Sequence, residues 1–315
     1  MNNDQNGLED FTNQILKKIK PLVKAFVFDF DGTIKSSAEP DCVPLDLIKK
    51  IIEKDKRVGI VTASGVSALS GLAEQIVKLI NENNFVDFVY LGIANGMALY
   101  KLGKNGKQEL YNYSIDLDES RKILEAWKNV FEQIGVKGED LMEKGLNTFR
   151  EFINKDWGEF IPSEYLDLSR ECNGKCFIEK LKVTFVMPKN EVFEQEKFIG
   201  LMQEELNKVL GEGNFIIDMG DNVFAHVTKR PGMAPKLFAL NKIREELNLT
   251  DEEVVTFGDM PFGNDKGLLI DSGLSYTFTN KFIDEKVINS PPFVLSGSKL
   301  TPVANVYKAV EFLLN

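Results

Sequence analysis

Apolar residues along this chain gather in short dense runs, and each run is ended by a polar cluster. Ala25-Phe-Val-Phe28 stops at Asp29, with Asp31-Gly-Thr directly after it. Arg57-Val-Gly-Ile-Val61 stops at Thr62, with Ser64 and Gly65 next, and Val254-Val-Thr-Phe257 stops at Gly258-Asp259. Runs this short, bounded by turn formers, predict strands buried on both faces. Elsewhere the period changes to that of helices: over 67–81, along Leu237, Leu240, Ile243 and Leu247 behind Pro235-Lys236, and along Val303, Val306, Val310 and Leu313 behind Pro302. Strands alternating with helices predict an α/β fold, a doubly wound, Rossmann-like parallel sheet. One more strand is predicted over 274–279, with Pro291-Pro292 breaking the loop beyond it. An amphipathic segment over 1–24 carries Leu8, Phe11, Ile15, Ile19 and Leu22 on one stripe.

The stretch from 95 to 228 has another rhythm. Strands at 97–102 and 109–115 flank a turn at Lys104-Asn-Gly, a helix covers 119–134, and an irregular, partly helical stretch runs to about 174. A strand over 175–186, a long helix over 191–210 and two short strands at 215–219 and 223–227 complete it. Strands joined by tight turns and covered by helices on one face make a separate α+β layer. The expected organisation is a core domain of residues 1–94 and 229–315 with an α+β cap domain inserted at 95–228. In the 175–186 strand, Leu181, Val183 and Phe185 alternate with Lys180, Lys182 and Thr184, giving one apolar and one cationic face. That cationic face is either simply solvated, or it lets Lys180 and Lys182 read an anionic substrate while the insert acts as a lid.

Composition narrows the class of protein. A chain of 315 residues suits two domains better than one core. Its 43% apolar content is that of a globular protein, and no apolar run approaches a membrane span. No amino-terminal stretch reads as a signal peptide. The net charge of −10, uninterrupted by any basic block, argues against a nucleic-acid partner. Cys42, Cys172 and Cys176 lack the second ligand pair a zinc site needs, so free thiols in a cytoplasmic protein are expected. His226 is the single histidine and falls in a cap strand, which leaves no histidine-based triad and favours a structural role. No membrane partner is expected, and a monomer or homodimer is the expected assembly.

The strand ends carry the chemistry. A buried strand holds a carboxylate only at its end and only with a compensating partner, and in open α/β sheets the carboxyl ends of strands are where ligands bind. Asp29 and Asp31 suit an attacking or cation-gripping carboxylate beside a proton shuttle. Thr62, Ser64 and Gly65 precede a helix and form either an anion cradle or an ordinary helix cap. Lys236 lies in the first turn of its helix, where the helix dipole disfavours a cation, which points to an anionic partner.

In this order, Asp29-x-Asp31-Gly-Thr, Thr62, Lys236 and Gly258-Asp259 with Asn264-Asp265 resemble the four motifs of the haloacid dehalogenase superfamily of phosphatases and phosphomutases. Ile93-Ala-Asn95-Gly96 is similar to the junction from which the branch with a large α/β cap leaves its core. That branch is rich in sugar-phosphate phosphatases and includes the eukaryotic phosphomannomutases. The resemblance implies that Asp29 is a nucleophile forming an aspartyl-phosphate and that Asp31 is the general acid, then the base. It implies that Thr62 and Lys236 bind phosphoryl oxygens, and that Asp259, Asp29 and the backbone carbonyl of Asp31 hold Mg²⁺. Met260-Pro-Phe-Gly263 makes the last spacer longer than this branch usually has and shorter than that of the phosphomannomutases. Asn264 and Asp265 therefore compete for the remaining metal role, with Asp265 preferred as the group orienting Lys236 or a metal-bound water. Lys229 ends a strand whereas Lys236 heads a helix, so Lys236 is preferred as the phosphate lysine. The expected function is a Mg²⁺-dependent phosphatase of a small phosphorylated metabolite, in particular a sugar phosphate. A hexose phosphomutase and a catalytically silent binding protein are the alternatives.

Overall fold

The computed structural model describes residues 14–86, 89–137, 140–157, 160–189, 192–219, 223–261, 263–270, 275–278, 293–295 and 301–315. Leu8, Phe11, Leu274, Thr279 and Pro291-Pro292, all part of the sequence expectations, lie outside the described residues. The chain divides into two compact units, residues 1–111 with 234–315, and residues 112–233.

An eight-stranded sheet organises the first unit, in the order β12-β11-β10-β1-β2-β3-β4-β5. Strands β1 (Ala25–Phe28), β2 (Arg57–Val61), β3 (Val89–Ile93), β10 (Val254–Phe257), β11 (Ser275–Phe278) and β12 (Phe293–Leu295) pair in parallel. β1 and β10 are buried at every position, which is why they read as unbroken apolar runs. Aromatic rings stack across their register, Phe28 on Phe257 at 5.3 Å and Phe257 on Tyr276 at 5.6 Å, directly beneath the strand ends. β1 lies between β2 and β10, so the chain winds outward in both directions from it. This reversal opens a crevice at the carboxyl ends of β1 and β10. Helix α1 (Pro44–Glu53) turns Leu47, Ile48, Ile51 and Ile52 inward. Helix α2 (Ala73–Glu82) continues from a π-helical turn at Ala68–Leu72. Near the amino terminus Leu16 and Ile19 are buried, whereas Leu22, expected on the same stripe, is exposed.

In the second unit a four-stranded antiparallel sheet, β6 (Cys176–Ile178), β7 (Val183–Val186), β9 (Phe224–Lys229) and β8 (Phe215–Met219), is ordered β6-β7-β9-β8. It is accompanied by α3 (Leu117–Ile134), α4 (Glu143–Asn154), α5 (Ser163–Glu171) and α6 (Val192–Leu210). Asp116 caps α3 in a reciprocal capping box with Glu119, and Gly135 ends it in the left-handed conformation. The stretch expected to be irregular is thus largely α4 and α5.

Two sequence expectations need correcting. Strands β4 (Ala98–Gly103) and β5 (Gly106–Asn112), placed in the insert from sequence, belong to the sheet of the first unit. The turn Ala94–Gly96 reverses the chain, and β4 runs back along β3 with Ile93 opposite Ala98 and Leu91 opposite Tyr100. Left-handed Gly96 permits that reversal; a Cβ there would lie 2.7 Å from the Ala239 Cβ. The boundary consequently moves from 95 to about 112. The second correction concerns 175–186, which is a hairpin and not one strand. Glu179 N–H donates to the Lys182 carbonyl at 2.9 Å, and Ile178 pairs with Val183. Two short neighbouring strands satisfy each other's backbone groups while burying every residue of both. The alternating face therefore does not exist: Lys180 sits at the exposed turn and Lys182 is buried.

Candidate active site

β1 delivers Asp29 to the crevice, with its N–H donating to Phe257 O at 2.8 Å on the neighbouring β10. After β1 the chain folds into a tight turn in which Ile34 and Lys35 N–H groups donate to Phe30 O. Gly32 adopts φ +86°, and a Cβ there would lie 2.5 Å from the Asp259 Oδ2. Only glycine fits both the angle and the close approach of that carboxylate. Thr33 is buried and its hydroxyl donates to Asp29 Oδ2 at 3.4 Å.

Lys236 enters from the first turn of α7 (Pro235–Leu247), and its side chain is buried. Its ammonium donates to Asp29 Oδ1 at 2.7 Å and to Asp265 Oδ1 at 2.5 Å. These two carboxylates are the anions that make a cation tolerable at a helix start. Asp265 is fully buried and sits just before the short helix α8 (Lys266–Leu269). Its second oxygen accepts the N–H groups of Asp259 and Met260, both at 3.1 Å. Gly258 makes room, since a Cβ there would meet Asp265 Oδ2 at 2.9 Å. Asn264, half-buried, immediately precedes Asp265 on the same turn.

Carboxylate oxygens of Asp29, Asp259 and Asp265 all lie within 4.8 Å of one another. Three acids against one lysine leave excess negative charge in a buried place, and the proton affinities show it. Burial, then the Asp265 carboxylate, push Asp29 from the usual 3.8 up to about 7, although Lys236 pulls the other way. Burial, then Asp29 and Asp265, push Asp259 up to about 9. Lys236 is displaced upward because Asp265 and Asp29 together outweigh the cost of burying its charge. Protein donors engage both oxygens of Asp265 and both of Asp29, and Asp259 brings a third carboxylate within 4.8 Å of these two. Oxygen-only ligands at this density fit a hard divalent cation such as Mg²⁺.

On the other flank, β2 ends at buried Thr62, whose N–H donates to Gly92 O at 2.9 Å. Ser64 N–H donates to the Thr62 hydroxyl at 3.0 Å, and Ser64 Oγ donates to Asp31 Oδ2 at 3.2 Å. Asp31 itself is exposed. Gly65 O accepts the N–H groups of Ala68 and Leu69, opening the following helical segment. The contact between Ser64 and Asp31 was not foreseen, because the sequence showed only a hydroxyl beside a possible anion site.

The remaining candidates lie in the second unit. Lys182 pairs with Glu179 at 3.7 Å inside the hairpin, and both are buried. Lys229 ends β9 and pairs with Glu119 at 2.9 Å. His226 is buried with its Nδ1 3.1 Å from the Thr184 hydroxyl on β7. All three cysteines are free thiols.

The chain belongs to the haloacid dehalogenase-like hydrolases: the model of that family matches residues 26–290. Among curated proteins none matches the chain by sequence. Solved structures similar to it include a haloacid dehalogenase-like hydrolase from Bacteroides thetaiotaomicron (16% identity, 92% of this chain and 98% of that one, TM-score 0.58). Another is a subclass IIB sugar phosphatase of the superfamily (18% identity, 92% and 98%, TM-score 0.55). An IMP-bound IMP-nucleotidase from Plasmodium falciparum is also similar (12% identity, 95% and 70%, TM-score 0.57). At these identities the likeness is one of fold. Among the described residues no helix is long and apolar enough to cross a membrane.

Proposed function

We propose that the protein is a Mg²⁺-dependent phosphatase that hydrolyses a small phosphorylated metabolite, with a sugar phosphate as the favoured substrate, through an aspartyl-phosphate on Asp29. The observation that carries this is the buried cluster of Asp29, Asp259 and Asp265 on Lys236, an excess of negative charge that a divalent cation would neutralise. When bound, Mg²⁺ would be held by Asp29 and Asp259, offset the charge of an incoming phosphate ester and keep Asp29 ionised.

The residues then divide the work. An Asp29 oxygen attacks phosphorus and the ester P–O bond breaks, while the departing oxygen takes a proton from Asp31. Water next attacks the aspartyl-phosphate, giving its proton to Asp31, and the P–O bond to Asp29 breaks to restore the carboxylate and release inorganic phosphate. Lys236, bonded to Asp29 and fixed from behind by Asp265, aims positive charge at the phosphoryl oxygens. Thr62, at the adjacent strand end, supports the same group.

A hexose phosphomutase reaction would ask for cations that hold a second phosphate, and of the two lysines considered for that task Lys182 is buried beside Glu179. The similar sugar phosphatase and nucleotidase agree in being enzymes of phosphate monoesters. The test is phosphate release from a panel of sugar and nucleoside monophosphates with Mg²⁺ and with EDTA, beside Asp29→Asn. Metal-dependent release that Asp29→Asn lowers by more than about a thousandfold is expected. Conversion of a hexose 1-phosphate to its 6-phosphate with little free phosphate would replace the reading by the mutase, and turnover surviving in Asp29→Asn would remove the nucleophile.

A further inference from the structure

We propose that Ser64 is a positioning residue for Asp31: it aims the carboxyl that protonates the leaving oxygen, rather than binding the phosphate itself. The inference rests on the phosphatase reading and adds to it a residue that the motif order does not single out.

Three observations carry it. First, Ser64 Oγ donates to Asp31 Oδ2 at 3.2 Å, across 33 residues of sequence. Second, the Ser64 backbone is pinned on both sides. Its N–H donates to the Thr62 hydroxyl at 3.0 Å, and its carbonyl accepts Ala94 N–H at 2.8 Å. Ala94 and Asn95 hold left-handed angles, φ 51° and 61°, and Asn95 N–H donates to Thr62 O at 2.9 Å. Two non-glycine residues in that region are a cost the fold accepts in order to clamp the Thr62–Ser64 segment. Third, Asp31 is exposed on the turn after β1, and its backbone meets Lys35 in an isolated bridge that does not engage the carboxyl. Among the described residues, the hydrogen bond that holds that carboxyl comes from Ser64.

The consequence is chemical. A general acid contributes only if its proton is delivered along the line to the departing oxygen, and a freely rotating carboxyl spends much of its time elsewhere. Ser64 reaches Oδ2 and leaves Oδ1 to carry the proton. The need for that proton depends on the ester. An alkoxide cannot leave unprotonated, whereas p-nitrophenolate is a stable anion that departs almost unaided.

The experiment compares wild type, Ser64→Ala and Ser64→Thr by kcat/KM on p-nitrophenyl phosphate and on an alkyl monoester such as glycerol 3-phosphate, with Mg²⁺ present. kcat/KM reports only steps through departure of the leaving group, so later hydrolysis of the aspartyl-phosphate does not blur it. Ser64→Ala should lower kcat/KM roughly tenfold on the alkyl ester and several times less on p-nitrophenyl phosphate. Ser64→Thr, which keeps the hydroxyl, should restore most of the loss. Equal loss on both esters would make Ser64 a phosphate contact or a mere support of the loop, and no loss on either would make its hydroxyl idle; either result overturns the inference. Should wild type release phosphate from neither ester nor from any member of the sugar and nucleoside monophosphate panel, the phosphatase reading fails first and takes this inference with it, which separates the two failures.

Discussion

Two buried lysine–carboxylate clusters, one in each unit of the molecule, teach opposite lessons. In the second unit Lys182 and Glu179 meet at 3.7 Å within a hairpin, one positive charge against one negative. In the first unit Lys236 touches Asp29 and Asp265 at 2.7 and 2.5 Å, and Asp259 brings a third carboxylate into the same space. Burying charge is expensive unless it is paired, so a balanced cluster is a solution to a folding problem. An unbalanced cluster is an unfinished one. In the proposed reading it is the place where a divalent cation would balance that excess.

The strongest way to probe the contrast is to remove each lysine. Lys236→Met would leave buried Asp29 and Asp265 and half-buried Asp259 without their lysine, and should lower stability by about 3–5 kcal/mol in urea unfolding while abolishing phosphate release. If instead Lys236→Met were as stable as wild type, the cluster would not be holding itself together through that lysine.

A second test uses protons and metal. The ordinary value for Asp29 and Asp259 is 3.8, and their folded-state values are about 7 and about 9. Between those limits the folded protein binds more protons than the unfolded chain, so ν_U − ν_N is negative and stability falls as pH rises. Their contribution to stability is greatest at the acid end of that window and is lost once pH passes the folded values. Thermal unfolding in EDTA should therefore show Tm falling between about pH 5 and pH 9. Mg²⁺ should raise Tm most at the alkaline end, because it binds the deprotonated pair. A Tm that ignores Mg²⁺ throughout would contradict the cation role of the cluster.

The smallest effect on activity belongs to the balanced pair. Lys182→Met takes the ammonium away from the buried Glu179 carboxylate, and should cost up to about 3–5 kcal/mol, as the loss of one partner of a buried pair does. It should also change kcat/KM for the favoured monophosphate by less than about threefold, whereas a lysine that reads the substrate would lose far more. A tenfold or greater loss of kcat/KM without loss of stability would return Lys182 to the role of substrate reader.

The two clusters also differ in how far they could be read from the chain. Asp29, Thr62, Lys236 and Asp259 each stand at the boundary of a strongly periodic segment, where an apolar run stops and a charge begins. Local pattern is enough to find such positions, since only a strand end or a helix start tolerates them. The dipole mismatch at Lys236 even signalled that acids would be waiting for it. Lys180 and Lys182 sat in an alternating pattern that suits a half-buried strand equally well as the two arms of a tight hairpin. Nothing local distinguishes the two, because a four-residue strand paired with its neighbour and one long strand share the same period. Strands β4 and β5, at one end of the core sheet, differ from expectation for a similar reason: a hairpin in sequence carries no mark of which sheet it will extend.

By itself, then, the sequence determined the core strands β1, β2 and β10 and the helices after Thr62 and from Pro235, the place of the acids, hydroxyls and lysine at their ends, and the family to which these belong. Those are consequences of burial and period, which act within a few residues. Only the tertiary structure decided that Ser64 reaches Asp31, that Lys182 lies buried beside Glu179, that Asp265 gives both its oxygens to protein donors with Asp29 and Asp259 within 4.8 Å, and that the core sheet continues through β5. Each of these is a distance between residues far apart or on facing turns, and such distances are set by the packing of whole elements, which no local pattern encodes.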